Sequence, residues 1–168
     1  MTIKTIGIAG AGSMGSGIAN LAATSGFHVI INDIKEEYLQ KAIARMDKFM
    51  QKSIEKGKLT EAEKEEALNR ITTSVEIEAL QDADIVIEAI IEKMDAKKEI
   101  FSKLDQIMPE GVILATNTSS MSITEIASAT KRPERVAGMH FFNPAQIMKL
   151  VEVVRGYETS DETVEELK

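Results

Sequence analysis

The sequence predicts an α/β fold: a doubly wound, mostly parallel sheet of Rossmann type with a helical hairpin inserted after the second strand. Three observations carry this. Short apolar runs alternate with segments of helical periodicity. A glycine-rich turn joins the first run to the first helix, and a carboxylate closes the second run, at Asp33.

The first run begins at Ile6 and passes through Gly10, Gly12 and Gly15 into a helix starting near Ile18. Gly10 allows a sharp turn, Gly12 lets backbone approach a pyrophosphate, and Gly15 permits tight packing of helix on sheet. The helix start then offers free N–H groups and the positive end of a dipole to an anion. The second run, His28 to Asn32, ends at Asp33, about 20 residues past the glycines, where an acid accepts hydrogen bonds from an adenosine ribose.

Lys35 to Lys56 has the apolar spacing of a long amphipathic helix, which Gly57 ends, and Thr60 to Glu63 has the form of a capping box for a second helix through about Asn69. Lys41, Arg45, Lys48, Lys52 and Lys56 form one basic ridge, either a solvated face or a receiver of phosphorylated substrate. Ile71 to Val75 reads as a strand, Glu78 to Leu80 as a helical turn, and Asp84 to Glu88 as a buried strand. Glu92 then lies beyond a strand's carboxyl end, where open parallel sheets bind ligands. Asp95 to Met108 is a helix stopped by Pro109, with Lys97 and Lys98, of a type most often merely solvated, in its first turns.

Val112 to Ala115 is the next strand and leads into Thr116, Asn117, Thr118, Ser119 and Ser120. Ser122 to Glu125 supplies a capping box for the following helix, leaving Asn117, Ser119 and Ser120 free for a ligand. A strand from Arg135 to Met139 delivers His140 at its end, and a second, Lys149 to Arg155, carries Glu152 among apolar neighbours. A carboxylate there requires a hydrogen bond or ion pair. Partnered by His140, it forms the arrangement used for acid–base catalysis near neutral pH. Ser160 caps a final helical segment; residues 1–168 are expected to form one cofactor-binding domain, with 157–168 the start of a linker helix.

At 168 residues, with 43% hydrophobic and 28% charged side chains, the chain suits one globular domain. Its net charge of −7 argues against non-specific nucleic-acid binding, and no apolar run is long enough for a bilayer. The absence of cysteine excludes disulfides and thiolate chemistry and is compatible with a cytoplasmic location, and two histidines make a metal site unexpected.

Over essentially its whole length the sequence resembles the bacterial 3-hydroxybutyryl-CoA dehydrogenases of the L-3-hydroxyacyl-CoA dehydrogenase family. The carriers are Gly10 to Ala19, Val86 to Glu92, Ala115 to Ser120, and above all Met139 to Pro144 followed by Met148 to Val153. The resemblance implies NAD-dependent interconversion of a (3S)-hydroxyacyl-CoA and its 3-oxoacyl-CoA. It implies His140 as the base, Glu152 as its electrostatic support, Ser119 at the reacting oxygen, and Asn117 and Asn143 lining the site near the nicotinamide. The turn residues Gly10, Gly12, Ser13, Met14 and Gly15, with Asp33, Glu92 and Lys97, would contact the cofactor. Lys48, Ser53 and Lys56 would receive the coenzyme A phosphates. Asp33 favours NAD over NADP.

Family members continue for roughly another hundred residues into a helical domain that closes the acyl pocket and forms a homodimer. The 168-residue chain is therefore expected to bind cofactor with little or no turnover. Two other readings are a non-catalytic NAD(H)-binding module, which would not need His140 and Glu152, and another β-hydroxyacid dehydrogenase, which would lack the segment from His140 to Pro144.

Overall fold

A computed structural model describes residues 2–168. Seven strands form one sheet: β1 (Thr5–Ala9), β2 (His28–Asn32), β3 (Ile71–Ser74), β4 (Ile85–Glu88), β5 (Ile113–Thr116), β6 (Val136–Phe141) and β7 (Val151–Arg155). Their spatial order is β3-β2-β1-β4-β5-β6-β7. All neighbours run parallel except β6 and β7, which are antiparallel. The chain reverses its direction of winding between β1 and β4, and the crevice above this switch point is where doubly wound folds hold ligands.

Helices cover both faces, which is why β4 and β5 are apolar along nearly their whole length. On one face, α1 (Ser13–Thr24), α2 (Glu36–Glu55) and α3 (Glu61–Asn69) bury Ile18, Leu39, Met46 and Met50 against Ile8, Ile31 and Ile87. On the other, α4 (Met94–Ile107) and α5 (Ile123–Ala127) bury Phe101, Leu104 and Ile126 against Val86, Leu114 and Val136. A last helix, α6 (Asp161–Leu167), opens on Ser160, whose hydroxyl accepts from the Thr163 amide.

The predicted caps are found with one correction. Thr60 and Glu63 close a full capping box, and Gly57 leaves α2 at φ +70°. At Ser122 only half of the box is made: its hydroxyl accepts from the Glu125 amide, while the Glu125 carboxylate turns to Lys98 at 2.9 Å. A competing cation from α4 outbids the backbone, since a charged partner is the stronger donor.

The end of β6 also differs from expectation. The strand runs on through Phe141, so His140 lies within it, because β7 pairs with it in register from Ala137–Arg155 to Phe141–Val151.

Candidate functional site

Three backbone segments meet at the carboxyl edge of the sheet. Beyond β1, the Gly10 amide donates to the Asn32 carbonyl at 2.8 Å. Gly10 turns the chain at φ +115°, a conformation that disfavours any side chain, and a Cβ there would strike the Ala89 carbonyl of the loop after β4. Gly15 lies so close to the Gly10 carbonyl oxygen that a Cβ would overlap it. The helix thus packs on the turn itself, a closer approach than the helix–sheet contact expected of Gly15. Gly12, by contrast, has nothing within 4 Å of its Cβ position and caps α1 with no side-chain hydrogen bond. The start of a 12-residue helix without a side-chain cap or an acid in its first turn faces open space, with Ser13 exposed beside it. These features fit a diphosphate.

Asp33 ties the second strand to this turn. Its Oδ2 accepts from the Ala11 amide at 2.8 Å and its Oδ1 from the Ile34 amide at 2.7 Å, leaving lone pairs on both oxygens for a ribose. The Arg45 guanidinium reaches the Ala11 carbonyl at 3.2 Å. Around these groups opens a cleft of about 1060 Å³, walled by Ile34, Tyr38, Ile77, Ile91, Ile100 and Ile107. An apolar slot beside an ion-lined turn suits an adenine and its ribose diphosphate.

The basic ridge divides in two. Lys41, paired with Glu37 at 2.9 Å, and Arg45 line the cleft. Lys48 and Lys56 are exposed and have no ion pair among the described residues, and Ser53 donates its hydroxyl to the Phe49 carbonyl at 3.1 Å.

Past β4 lies a charged cluster that sequence reasoning partly missed. Glu88, fully buried at the end of an apolar run, accepts from the Ile90 amide at 2.8 Å, the Lys97 ammonium at 2.6 Å and the Thr116 hydroxyl at 2.7 Å. Lys97 is itself 0% exposed and makes a second ion pair with Glu92 at 2.9 Å. This corrects the expectation that the lysines of this helix are solvated. Glu92, half exposed, also accepts from the Thr118 hydroxyl at 2.8 Å. Burial pushes the Glu92 carboxyl up, but hydrogen bonds from Lys97 and Thr118, and the charges of Lys97 and His140, bring it below the usual value. The signal for Glu88 was in the sequence: a carboxylate ending the run from Ile85 needs a buried partner, by the same reasoning applied to Glu152.

On β5 and β6 the remaining groups converge. The Asn117 amide oxygen accepts from the Phe141 backbone at 2.8 Å, which locks the loop after β5 to β6 and leaves its NH₂ free to donate. Ser119 is exposed on the same loop. His140 is half buried, its ring tilted 55° against Phe142 with centroids 4.5 Å apart. Asn143 is exposed and precedes Pro144 through a cis peptide bond.

Glu152 stands directly across the ladder from His140, so the two share a face of the sheet. The expected bond between them is not made: Glu152 is exposed and, among the described residues, has no side-chain hydrogen bond or ion pair. β7 is an edge strand where water solvates the carboxylate, so the desolvation argument that demanded a partner does not apply. Among the described residues no cluster of three or more His, Asp or Glu side chains could hold a metal, and no helix is long and apolar enough to cross a membrane.

Comparison with known proteins agrees with this geometry. Residues 5–168 match the family described as 3-hydroxyacyl-CoA dehydrogenase, NAD binding domain. A probable 3-hydroxybutyryl-CoA dehydrogenase of Bacillus subtilis is 54% identical over 163 residues, covering 97% of this chain and 57% of that protein. A crystal structure of (S)-3-hydroxybutyryl-CoA dehydrogenase from Ralstonia eutropha superposes with a TM-score of 0.96 at 48% identity, over 99% of this chain and 60% of that one. A 3-hydroxybutyryl-CoA dehydrogenase from Escherichia coli gives 0.97 at 46% identity, over 99% of this chain and 35% of that one. The chain thus spans about 57% of the Bacillus subtilis relative and smaller shares of some others.

Proposed function

We propose that this chain, which belongs to the family of 3-hydroxyacyl-CoA dehydrogenase NAD-binding domains, is the cofactor-binding part of an enzyme that interconverts a (3S)-hydroxyacyl-CoA and its 3-oxoacyl-CoA. 3-Hydroxybutyryl-CoA is the favoured substrate. The observation that carries this reading is the shared edge of the sheet: the uncapped start of α1 and Asp33 stand at one end, and Asn117, His140 and Glu152 at the other.

NAD, when bound, accepts the hydride. Gly12 and the opening amides of α1 hold its diphosphate, and the Asp33 carboxylate receives the adenosine ribose hydroxyls. His140 takes the proton from the substrate hydroxyl, because loss of that proton makes departure of hydride from the same carbon easier. Glu152, across the ladder, supports the imidazolium that results. Ser119 donates to the reacting oxygen, where charge accumulates, and Asn117, whose amide oxygen is engaged by the Phe141 backbone, keeps its NH₂ as a further donor. Lys48 on α2 and Lys56 at its end, exposed cations, receive the coenzyme A phosphates with Ser53 between them.

The same reading makes the whole enzyme a cytoplasmic homodimer, residues 1–168 its cofactor domain. That dimer forms through the helical domain, and Ile147, Met148 and Leu150, apolar side chains exposed on the loop before β7, suit burial against the rest of the enzyme. The test is a chimera joining this chain to the rest of the Bacillus subtilis relative, assayed by NADH oxidation with acetoacetyl-CoA. H140Q is expected to lower turnover by about two to four orders of magnitude. Near-normal turnover would remove His140 from the catalytic role.

A further inference from the structure

The carboxylate that favours NAD stands among cations that the reaction as proposed does not use. Asp33 and Arg45 meet on one residue: the Asp33 carboxylate accepts from the Ala11 amide at 2.8 Å, and the Arg45 guanidinium donates to the Ala11 carbonyl at 3.2 Å. Arg45 is thereby held at the lip of the glycine turn, beside the carboxylate that receives the adenosine ribose. It is exposed, lines the cleft with Asp33 and, among the described residues, makes no ion pair. Only one of its N–H donors is spent on Ala11, so the others face the cleft unclaimed. Lys41, one turn earlier on the same face of α2, lines the same cleft, its ammonium paired with the exposed Glu37. Lys35 lies over the ring of Tyr38, another wall residue, at 5.6 Å. The other acids lining the cleft, Glu76, Glu78 and Glu99, come from the segment after β3 and from α4, not from α2.

We propose that Arg45, with Lys41 one turn away, forms a 2′-phosphate site that Asp33 holds shut, so that a single carboxylate decides between NAD and NADP in this chain. In doubly wound folds an acid at this place takes the 2′-hydroxyl, and a nearby arginine takes the 2′-phosphate. Here both stand on the same turn residue. A 2′-phosphate brings about two negative charges to the ribose position beside Asp33. The Asp33 carboxylate repels them and offers no donor, whereas the planar guanidinium of Arg45 matches phosphate oxygens. Once the carboxylate is neutral, the repulsion goes and the donors remain.

This rests on the cofactor reading above, and one titration series separates the two. The 168-residue chain is titrated with NADH and with NADPH at fixed ionic strength, unaltered and as R45Q, D33N and D33N/R45Q. Asparagine keeps a side-chain oxygen to accept from the Ala11 amide, so D33N removes the charge and preserves the turn.

The unaltered chain should prefer NADH. D33N is expected to lose about tenfold in NADH affinity and to gain about tenfold for NADPH, the worth of one charge-assisted contact in each direction. D33N/R45Q should forfeit the NADPH gain while NADH stays within about twofold of D33N. R45Q by itself should weaken NADPH about tenfold and leave NADH within about twofold, a comparison that needs no change at Asp33. Equal weakening of both nucleotides by R45Q would show Arg45 acting through the glycine turn and overturn the proposal. So would unchanged NADPH affinity in D33N, or an NADPH gain that survives in D33N/R45Q. Those outcomes leave the NADH site standing, whereas failure of the unaltered chain to bind NADH would overturn the cofactor reading and the 2′-phosphate site with it.

Discussion

Replacing Lys97 by methionine keeps an unbranched stem of nearly the same length and removes only the ammonium, so the cavity left in the core is small. What changes is electrostatic. Glu88, with no solvent access, loses the Lys97 ammonium as its ion-pair partner while keeping the Ile90 amide and the Thr116 hydroxyl. Breaking a fully buried pair from one side costs about 3–5 kcal/mol, because the stranded charge is neither solvated nor compensated. With a slope of about 2 kcal/mol/M in urea, K97M should unfold about 1.5–2.5 M earlier than the parent. Adding E88Q to K97M removes the stranded charge and should restore most of that loss. Urea melts followed by far-UV circular dichroism make the comparison. A K97M midpoint within about 0.5 M of the parent would refute the reasoning, since it corresponds to about 1 kcal/mol and a solvent-screened pair. So would a double variant no better than K97M.

Other consequences follow from the turn and the cluster. Alanine at Gly15 should cost about 1–3 kcal/mol and weaken NADH binding, because its Cβ would overlap the backbone carbonyl of Gly10, which cannot move aside as a flexible side chain can; thermal melts and NADH fluorescence check this, and a variant matching the parent in both would contradict the packing. The Glu92 carboxyl has a lowered pKa in the fold, so its contribution to stability is complete above its ordinary value of 4.5 and lost as pH falls through the lower folded value. Melts of the parent and E92Q should therefore differ at neutral pH and converge as the pH falls through that lowered value; a constant difference would mean that the Glu92 charge is not what the fold uses. Charge reversal by K48E and K56E in the chimera should raise KM for acetoacetyl-CoA with turnover little changed, the mark of lost ground-state binding.

Much of the sheet was legible because its signals are local. Apolar runs bounded by turns located all six parallel strands, and the capping pattern from Thr60 located the start of α3. The glycine turn and Asp33 could be read because their roles follow from backbone geometry and spacing, although their mutual bond through the Ala11 amide joins residues 22 apart and was not visible. What escaped was decided by tertiary contact. Lys97 occupies a position on α4 like that of Lys98 one residue later, yet one is buried between two carboxylates and the other meets Glu125 at the surface. Glu152 was misjudged for the opposite reason: apolar neighbours in sequence suggested burial, and the edge position of β7 supplies water instead. The extension of β6 to Phe141 depends on pairing with β7, which no property of its own sequence announces.

Calorimetric titration of the chain with NADH tests most directly whether the edge of the sheet holds a dinucleotide across the switch point. The account predicts saturable one-to-one binding, weaker binding of NADPH because Asp33 repels a 2′-phosphate, and loss of the NADH signal when Gly12 is replaced by a bulky residue such as valine. Absence of heat with NADH, or affinity unchanged by valine at Gly12, would contradict it.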